Sequence, residues 1–331
     1  MDNKKKAFVT GAAGQDGSYL VELLLSKGYV VHGMTRRNSV AALAGENNYE
    51  ALLSMQSAKD GVLFLHEMDL LDPGEIGELI SELNPDEVYH LAGHSSVSDS
   101  NENPLEKCEL SGVATLRLLE CVSRLRKRPR FFHSSSSEIF GEPEVTPQNE
   151  NTPHLPSNHY GCYKSFATNI VRVYREKFGL YAVNGILFNH ESPRRGVQFV
   201  TKKIARSVAA IKSGGQHKLS LGDLKCRRDW GYVPDYVYGM WLSLQAKTPD
   251  DYIFATGVSH SVEDVVKIAF DFVGLNWKHY VDSNISLVRL DDYRGLVGDP
   301  TKAIRLLGWR ATKSFKGTIQ DMVRFELERT S

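Results

Sequence analysis

Short apolar runs alternate with longer amphipathic stretches through the first half of the chain. Ala7–Thr10 is an apolar run of strand length. Gln15–Lys27 then carries Tyr19, Leu20, Leu23, Leu24 and Leu25 at helical spacing before Gly28 ends it. Val30–Met34 and Val62–His66 read as a second and third strand, Gly74–Leu83 as a helix and Glu87–Ala92 as a fourth strand. Leu105–Leu125 is helical and Arg130–Ser134 is a fifth strand. Alternation of this kind predicts a parallel sheet with helices on both faces. Further on, Tyr160–Phe178 is a long helix, Tyr181–Phe188 a late strand of the same sheet, and Val197–Ser213 a helix. Gly214-Gly215 breaks the pattern before a short segment, Lys218–Gly222. A helix from Asp235, a strand at Tyr252–Ala255 and a helix at Val262–Val273 follow. The expected architecture is α/β: a doubly wound parallel sheet over residues 1–190 and a smaller, interleaved α/β domain over 191–331, with a soft boundary.

Composition narrows the function classes. At 331 residues the chain has room for about two domains. Its 40 Lys+Arg balance 40 Asp+Glu, which argues against a nucleic-acid partner, because such proteins need a basic excess. Cys108, Cys121, Cys162 and Cys226 form no CxxC pair, so a disulfide framework or structural zinc is not expected. Met1–Lys6 leads into only a three-residue apolar run, Ala7-Phe8-Val9, too short for a signal peptide. No stretch approaches the ~20 apolar residues of a membrane span. A cytoplasmic protein without a membrane partner is expected.

Between the first strand and helix lies Thr10-Gly11-Ala12-Ala13-Gly14-Gln15-Asp16-Gly17, with glycines at G-x-x-G-x-x-G spacing. In a Rossmann-type sheet, glycines here permit the tight turn and let backbone N–H groups approach a pyrophosphate at the helix N-terminus. The plainer reading is an ordinary turn, but the flanking strand and helix favour dinucleotide binding. After the second strand, NAD-preferring sites carry an acidic residue for the ribose 2′-hydroxyl. This chain has Thr35-Arg36-Arg37-Asn38-Ser39 instead, and two guanidinium groups suit a 2′-phosphate. NADP is therefore the expected cofactor.

Tyr160 and Lys164 stand at i and i+4, on one face of a helix. Alone, such a pair is common on surface helices. Behind a glycine-loop fold it reads as an acid/base pair in which the ammonium favours the phenolate. Upstream, Ser134-Ser135-Ser136-Ser137-Glu138 closes the fifth strand, and period two would put Ser136 and Glu138 on one face at the sheet's carboxyl edge, where ligands bind. A hydroxyl and a carboxylate together there exceed what a simple reductase requires.

These motifs resemble those of the extended short-chain dehydrogenase/reductases, and most closely the GDP-mannose 4,6-dehydratases. The similarity is carried by Gly14–Leu20, by Ser135–Gly141 with its Glu138, by Asn184–Gly196 and by Arg228-Asp229-Trp230-Gly231. Gly298–Ala303 and Leu307-Gly308-Trp309 extend it toward the C-terminus, so that it covers essentially the whole chain. The resemblance implies catalytic roles for Ser136, Glu138, Tyr160 and Lys164. It implies NADP contacts by Gly11, Ala12, Ala13, Gly14, Gln15 and Asp16, by Arg36, Arg37, Asn38 and Ser39, and by Asp69 and Leu70. Leu91, Ala92, Gly93, His94, Ser95, Lys164, His190 and Arg195 complete that set. Asn189, Lys202 or Lys203, Arg228 and Arg289 fall where the family grips a GDP-sugar. Residues 1–190 would then hold NADP and 191–331 the nucleotide-sugar, in a homodimer or homotetramer. Departures from the family pattern are Ser136 at a usual Thr, His94 at Gln, Glu106 at Tyr, Leu290 at Pro and Arg294 at Asp.

The implied reaction is internal oxidation and reduction of GDP-mannose, with Tyr160 taking the 4-hydroxyl proton and Glu138 the C5 proton. The product is a GDP-4-keto-6-deoxy sugar and water. A GDP-heptose or another manno-configured sugar is the alternative substrate. An epimerase or reductase would share the glycine loop and Tyr160/Lys164 but would not need Glu138. A decarboxylase would lack the Asn189–Gly196 segment, and a redox-sensing binding protein would not need the catalytic four. No metal is expected: on a strand, His90 and His94 would stand about 13 Å apart.

Overall fold

The computed structural model describes residues 4–36, 47–58, 62–95, 97, 102–284 and 296–330. Strand β1 (Lys6–Thr10) is buried from Ala7 onward and feeds helix α1 (Gln15–Ser26), after which come β2 (Val30–Thr35) and α2 (Asn47–Ala58). Then follow β3 (Leu63–Glu67), α3 (Pro73–Leu83) and β4 (Glu87–His90). Helix α4 (Pro104–Cys108) passes through a π-helical turn, Glu109–Val113, into α5 (Ala114–Ser123). Next are β5 (Arg130–Ser136), α6 (His159–Phe178), β6 (Ala182–Leu187), the short β7 (Asn189–Glu191) and α7 (Val200–Lys212). The remainder comprises β8 (Leu219–Leu221), β9 (Arg227–Tyr232), α8 (Val233–Ser243), β10 (Asp251–Phe254), β11 (Ser259–Ser261), α9 (Val262–Phe272), β12 (Val281–Ser283), α10 (Thr301–Leu307) and α11 (Phe315–Thr330).

Seven strands form one sheet in the order β10-β6-β5-β4-β1-β2-β3, every pairing parallel. The chain winds outward from β1 to β3, crosses back to β4, and winds the other way. That reversal opens a crevice beyond the carboxyl ends of β1 and β4, where open α/β sheets bind ligands. One face buries Leu20, Leu24, Val237 and Met240 of α1 and α8. The other buries Ile80, Leu118, Leu119 and Val171 of α3, α5 and α6. Each fully buried side chain of this kind contributes about 1.5–3 kcal/mol. A third core, including Ile204, Phe270 and Met322, joins α7, α9 and α11 beside two small sheets, β11-β9-β7 and β12-β8.

At the amino end of the sheet, opposite the crevice, buried Glu87 accepts from Lys5, Tyr29, Gln245 and Tyr89 at 3.0, 3.0, 3.1 and 2.8 Å. This end is structural. Residues beyond 191 return to the large sheet through β10, which pairs with β6.

Three expectations change. The single helix Leu105–Leu125 is interrupted by the π-helical turn, which brings Ser111 Oγ to the His94 backbone N–H at 2.9 Å. Strand β4 stops at His90 rather than Ala92, because the Thr10 hydroxyl accepts the Leu91 and Ala92 N–H groups at 3.2 and 3.1 Å. His94 therefore lies in a loop, and the strand spacing between it and His90 does not apply. Strand β5 runs to Ser136, two residues past its expected end.

Candidate active site

Three glycines shape the turn from β1 into α1. Gly11 has φ +71°, and a Cβ there would meet the Ala92 backbone nitrogen at 2.9 Å. A Cβ on Gly17 would sit 2.1 Å from the Gly11 carbonyl oxygen, so only glycine lets the helix pack this closely on its loop. Gly14 caps α1 with no side-chain hydrogen bond, leaving first-turn N–H groups for an anionic ligand. These features fit a dinucleotide pyrophosphate. Arg36 follows β2 at the same edge, whereas Arg37, Asn38 and Ser39 lie outside the described residues. Asp69 turns its carboxylate to the Leu71 N–H at 2.9 Å, and Leu70 is buried in the core below.

Beside this loop, Leu91–Ser95 leaves the end of β4 and brings Gly93 close to Lys164, whose Nζ would lie 3.9 Å from a Cβ at that position. Lys164 is 5% exposed and donates to the Ser134 carbonyl at 2.7 Å. Burial pushes its ammonium down to about 8. Tyr160, one turn earlier on α6, is also buried, and its ring centroid is 6.0 Å from Lys164 Nζ. Burial raises its phenol to about 12, while the Ser136 hydroxyl and Arg195 pull the other way. In this arrangement the Lys164 ammonium is engaged by the Ser134 carbonyl, and desolvation is the dominant influence on Tyr160.

Ser136 and Glu138 do meet, but not by strand alternation. Strand β5 ends at Ser136, and Ser137–Phe140 forms a 3₁₀ turn in which Ser136 Oγ accepts the Glu138 N–H at 3.2 Å. Glu138 Oε2 accepts from Asn158 Nδ2 at 2.9 Å, while Asn158 Oδ1 caps α6 by accepting the Gly161 N–H at 2.8 Å. One amide therefore fixes both the carboxylate and the helix carrying Tyr160 and Lys164. Sequence reading missed Asn158, although an Asn just ahead of a helical pattern is an N-cap signal.

The other expected contacts divide. Asp16, Gln15, His190 and Arg195 converge where α1 meets β7. Gln15 Nε2 donates to the His190 carbonyl at 3.2 Å, and Gln15 Oε1 accepts from Ser192 Oγ at 2.8 Å. Arg195 Nε lies 3.2 Å from Glu191 Oε2 and its guanidinium 3.5 Å from the Phe199 ring centroid. Asn189 opens β7. Lys202, expected to grip substrate, is instead buried: it pairs with Glu326 of α11 and donates to the Pro193 carbonyl at 2.7 Å. Lys203 is exposed and donates to the Ser220 carbonyl at 2.8 Å. Neither lysine is turned toward the catalytic four, because the helical phase of α7 presents Lys202 to α11 and Lys203 to β8. Arg228 Nη1 lies 3.2 Å from Cys226 Sγ. Arg289, Leu290 and Arg294 fall outside the described residues. Among the described residues no cluster of three His, Cys, Asp or Glu could hold a metal, and no helix is long and apolar enough to cross a membrane.

A parallel sheet reversing at β1 and β4, a glycine loop capping α1 and a Tyr-x-x-x-Lys helix beside it define an extended short-chain dehydrogenase/reductase. The UDP-glucose 4-epimerase of Bifidobacterium longum, solved with NAD+ and UDP, shares this fold at a TM-score of 0.85 and 23% identity, over 98% of this chain and 99% of that one. RMD from Pseudomonas aeruginosa, solved with NADPH, matches at a TM-score of 0.79 and 22% identity, covering 98% and 100%. The sequence profile described as GDP-mannose 4,6 dehydratase matches residues 8–322. GDP-mannose 4,6 dehydratase 2 of Arabidopsis thaliana is 42% identical over 99% of this chain and 88% of its own. The chain belongs to the GDP-mannose 4,6-dehydratase family.

Proposed function

We propose that the protein dehydrates GDP-mannose to GDP-4-keto-6-deoxymannose, using a resident NADP. The observation that carries this reading is the Glu138 carboxylate, tethered by Asn158 beside Ser136 and the Tyr160 helix. An epimerase or reductase has no step for such a base. Bound at the Gly11–Asp16 turn, NADP would supply the hydride acceptor for C4 of the sugar and the hydride donor for C6. Tyr160 removes the proton from the 4-hydroxyl as the C4–H bond breaks. The resulting ketone acidifies C5, and Glu138 removes that proton. The same carboxyl, assisted by the Ser136 hydroxyl, protonates the departing 6-hydroxyl, which leaves as water. Once hydride has returned to C6, the C4–C5 enolate takes a solvent-derived proton at C5 through Glu138, and Tyr160 releases its proton to solvent. General acid–base steps of this type contribute about 10²–10⁴ each. Lys164 would turn its ammonium to the cofactor's ribose, and Gly11 to Asp16, the Leu91–Ser95 loop and Arg195 would line the rest of the dinucleotide site.

Arg36 and Arg37 favour NADP over NAD, since guanidinium groups pair with a 2′-phosphate and no carboxylate follows β2. Asn189 and Arg228 are proposed substrate contacts, with Arg289 beside them in the sequence-based set. We read residues 1–190 as the cofactor-binding part and 191–331 as the sugar-binding part, in a cytoplasmic homodimer or homotetramer. Two measurements test this. Nucleotide released on denaturation should be NADP(H), and NAD alone would refute the cofactor assignment. In a panel of GDP-mannose, GDP-heptose and UDP- and dTDP-hexoses, GDP-mannose should turn over fastest; product from a UDP-sugar and none from any GDP-sugar would refute the substrate.

A further inference from the structure

His190 and Asp16 were expected to touch the cofactor, yet their side chains are engaged with each other. His190 Nδ1 lies 2.7 Å from the Phe188 carbonyl oxygen. Its Nε2 lies 3.0 and 2.9 Å from the two carboxylate oxygens of Asp16. With Asp16 ionised, both partners can only accept, so both ring nitrogens would donate and the ring would be an imidazolium. The ring is buried and stacks on Tyr236 of α8, with centroids 4.6 Å apart.

Asp16 sits in the first turn of α1, on the loop that would cradle a pyrophosphate. An uncompensated carboxylate there would repel that anion. Paired with His190, it carries no net charge. The same turn is sewn to β7 through Gln15, so the His190 pair and the Gln15 bonds hold the glycine loop against the segment bearing Arg195. The other charged or titratable groups around the pair are Arg195 and Glu191 from β7 and its loop, Tyr160 and Lys164 from α6, and Tyr236 from α8.

We propose that His190, held as an imidazolium, is a positioning residue that neutralises Asp16 and clamps the phosphate loop, making dinucleotide affinity depend on one buried proton. The clamp rests on the reading that the loop holds a nicotinamide dinucleotide. The protonation balance agrees in direction. Burial pushes the His190 ring down, but the Asp16 charge and hydrogen bond raise it above its ordinary value. Burial pushes the Asp16 carboxyl up, and His190, together with Arg195 and Gln15, more than reverses it. A raised histidine contributes while its proton is on and loses that contribution as pH rises through the folded-state value. A depressed aspartate loses its contribution as pH falls through its own. The clamp is intact while His190 is protonated and Asp16 ionised, and it opens as pH rises through the folded-state value of His190.

The test uses the holoprotein and its His190→Gln variant. Side-chain ¹⁵N NMR of the wild type should show both His190 nitrogens protonated near pH 7, with a midpoint above about 6.5. NADP(H) affinity should weaken about ten-fold or more as pH rises through that midpoint. His190→Gln should be weakened by a similar factor already at neutral pH and flat across the same range. Adding Asp16→Asn to that variant should recover affinity, because it removes the uncompensated anion; a merely structural role for His190 would give no such rescue. A single neutral tautomer near pH 7 overturns the proposal, and so does a His190→Gln variant that keeps the wild-type pH dependence. Failure to bind any dinucleotide at any pH overturns the reading of the loop itself and the clamp with it.

Discussion

Replacing Lys164 by methionine should abolish catalysis and at the same time stabilise the cofactor-stripped protein. The ammonium is buried at 5% exposure with the Ser134 carbonyl as its partner, and burial takes it from 10.5 to about 8. A gap of about 2.5 pH units corresponds to roughly 3 kcal/mol of destabilisation at neutral pH. The unfolded chain binds this proton more readily than the folded one. Stability therefore rises with pH between about 8 and 10.5, and below 8 the cost is fully present. Methionine keeps the length and removes the charge, but leaves the Ser134 carbonyl unpaired at about 1 kcal/mol. The net gain near pH 7 is then about 1–2 kcal/mol, a rise of about 1–3 °C in unfolding midpoint for a chain of this size. Circular-dichroism melts near pH 7 and pH 10 provide the assay, and the advantage of the variant should shrink at the higher pH. A Lys164→Met protein less stable than wild type at pH 7, by the same margin at pH 10, would refute the argument.

Gly17→Ala should be severe, because its Cβ would lie 2.1 Å from the Gly11 oxygen and 2.8 Å from the Ala12 backbone, whereas at Gly14 the closest approach is 3.1 Å. Overpacking against backbone costs about 1–3 kcal/mol, so thermal melts and NADP titration should rank Gly17→Ala well below Gly14→Ala. Asn158→Ala should lose about 1 kcal/mol of cap stability, visible in denaturant unfolding. The same change should lower kcat more than it raises KM, since Glu138 loses its tether. Glu87→Ala should destabilise by about 3 kcal/mol or more in the same unfolding assay while leaving the KM of the folded fraction unchanged, because it strips four donors at the far end of the sheet.

The parts legible in the sequence are those with strong local signals. The β1–loop–α1 unit could be read because the glycine spacing, the buried run Ala7–Thr10 and the leucines of α1 all agree. Tyr160 and Lys164 share one helix, so their proximity follows from spacing alone. What could not be read depends on distant partners or very short elements. Strands β7, β8, β11 and β12 have three residues each, too few for any period to emerge. Lys202 was placed among the sugar contacts by family resemblance alone, and its pairing with Glu326, from a helix far along the chain, carries no local signal. Ser136 and Glu138 were correctly grouped for the wrong geometric reason, because the 3₁₀ turn that joins them begins where strand alternation stops.

The most direct test of the central claim is incubation of GDP-mannose with the protein in heavy water, followed by NMR of the product. The account predicts a 4-keto-6-deoxy sugar carrying deuterium at C5, a C6 methyl free of solvent deuterium, and no net change in cofactor absorbance. Glu138→Gln, whose amide cannot take the C5 proton, should form no product, and Tyr160→Phe should block even the first hydride step. Solvent deuterium in the C6 methyl, or unimpaired turnover by Glu138→Gln, would contradict the assignment of internal hydride return with Glu138 as the C5 base.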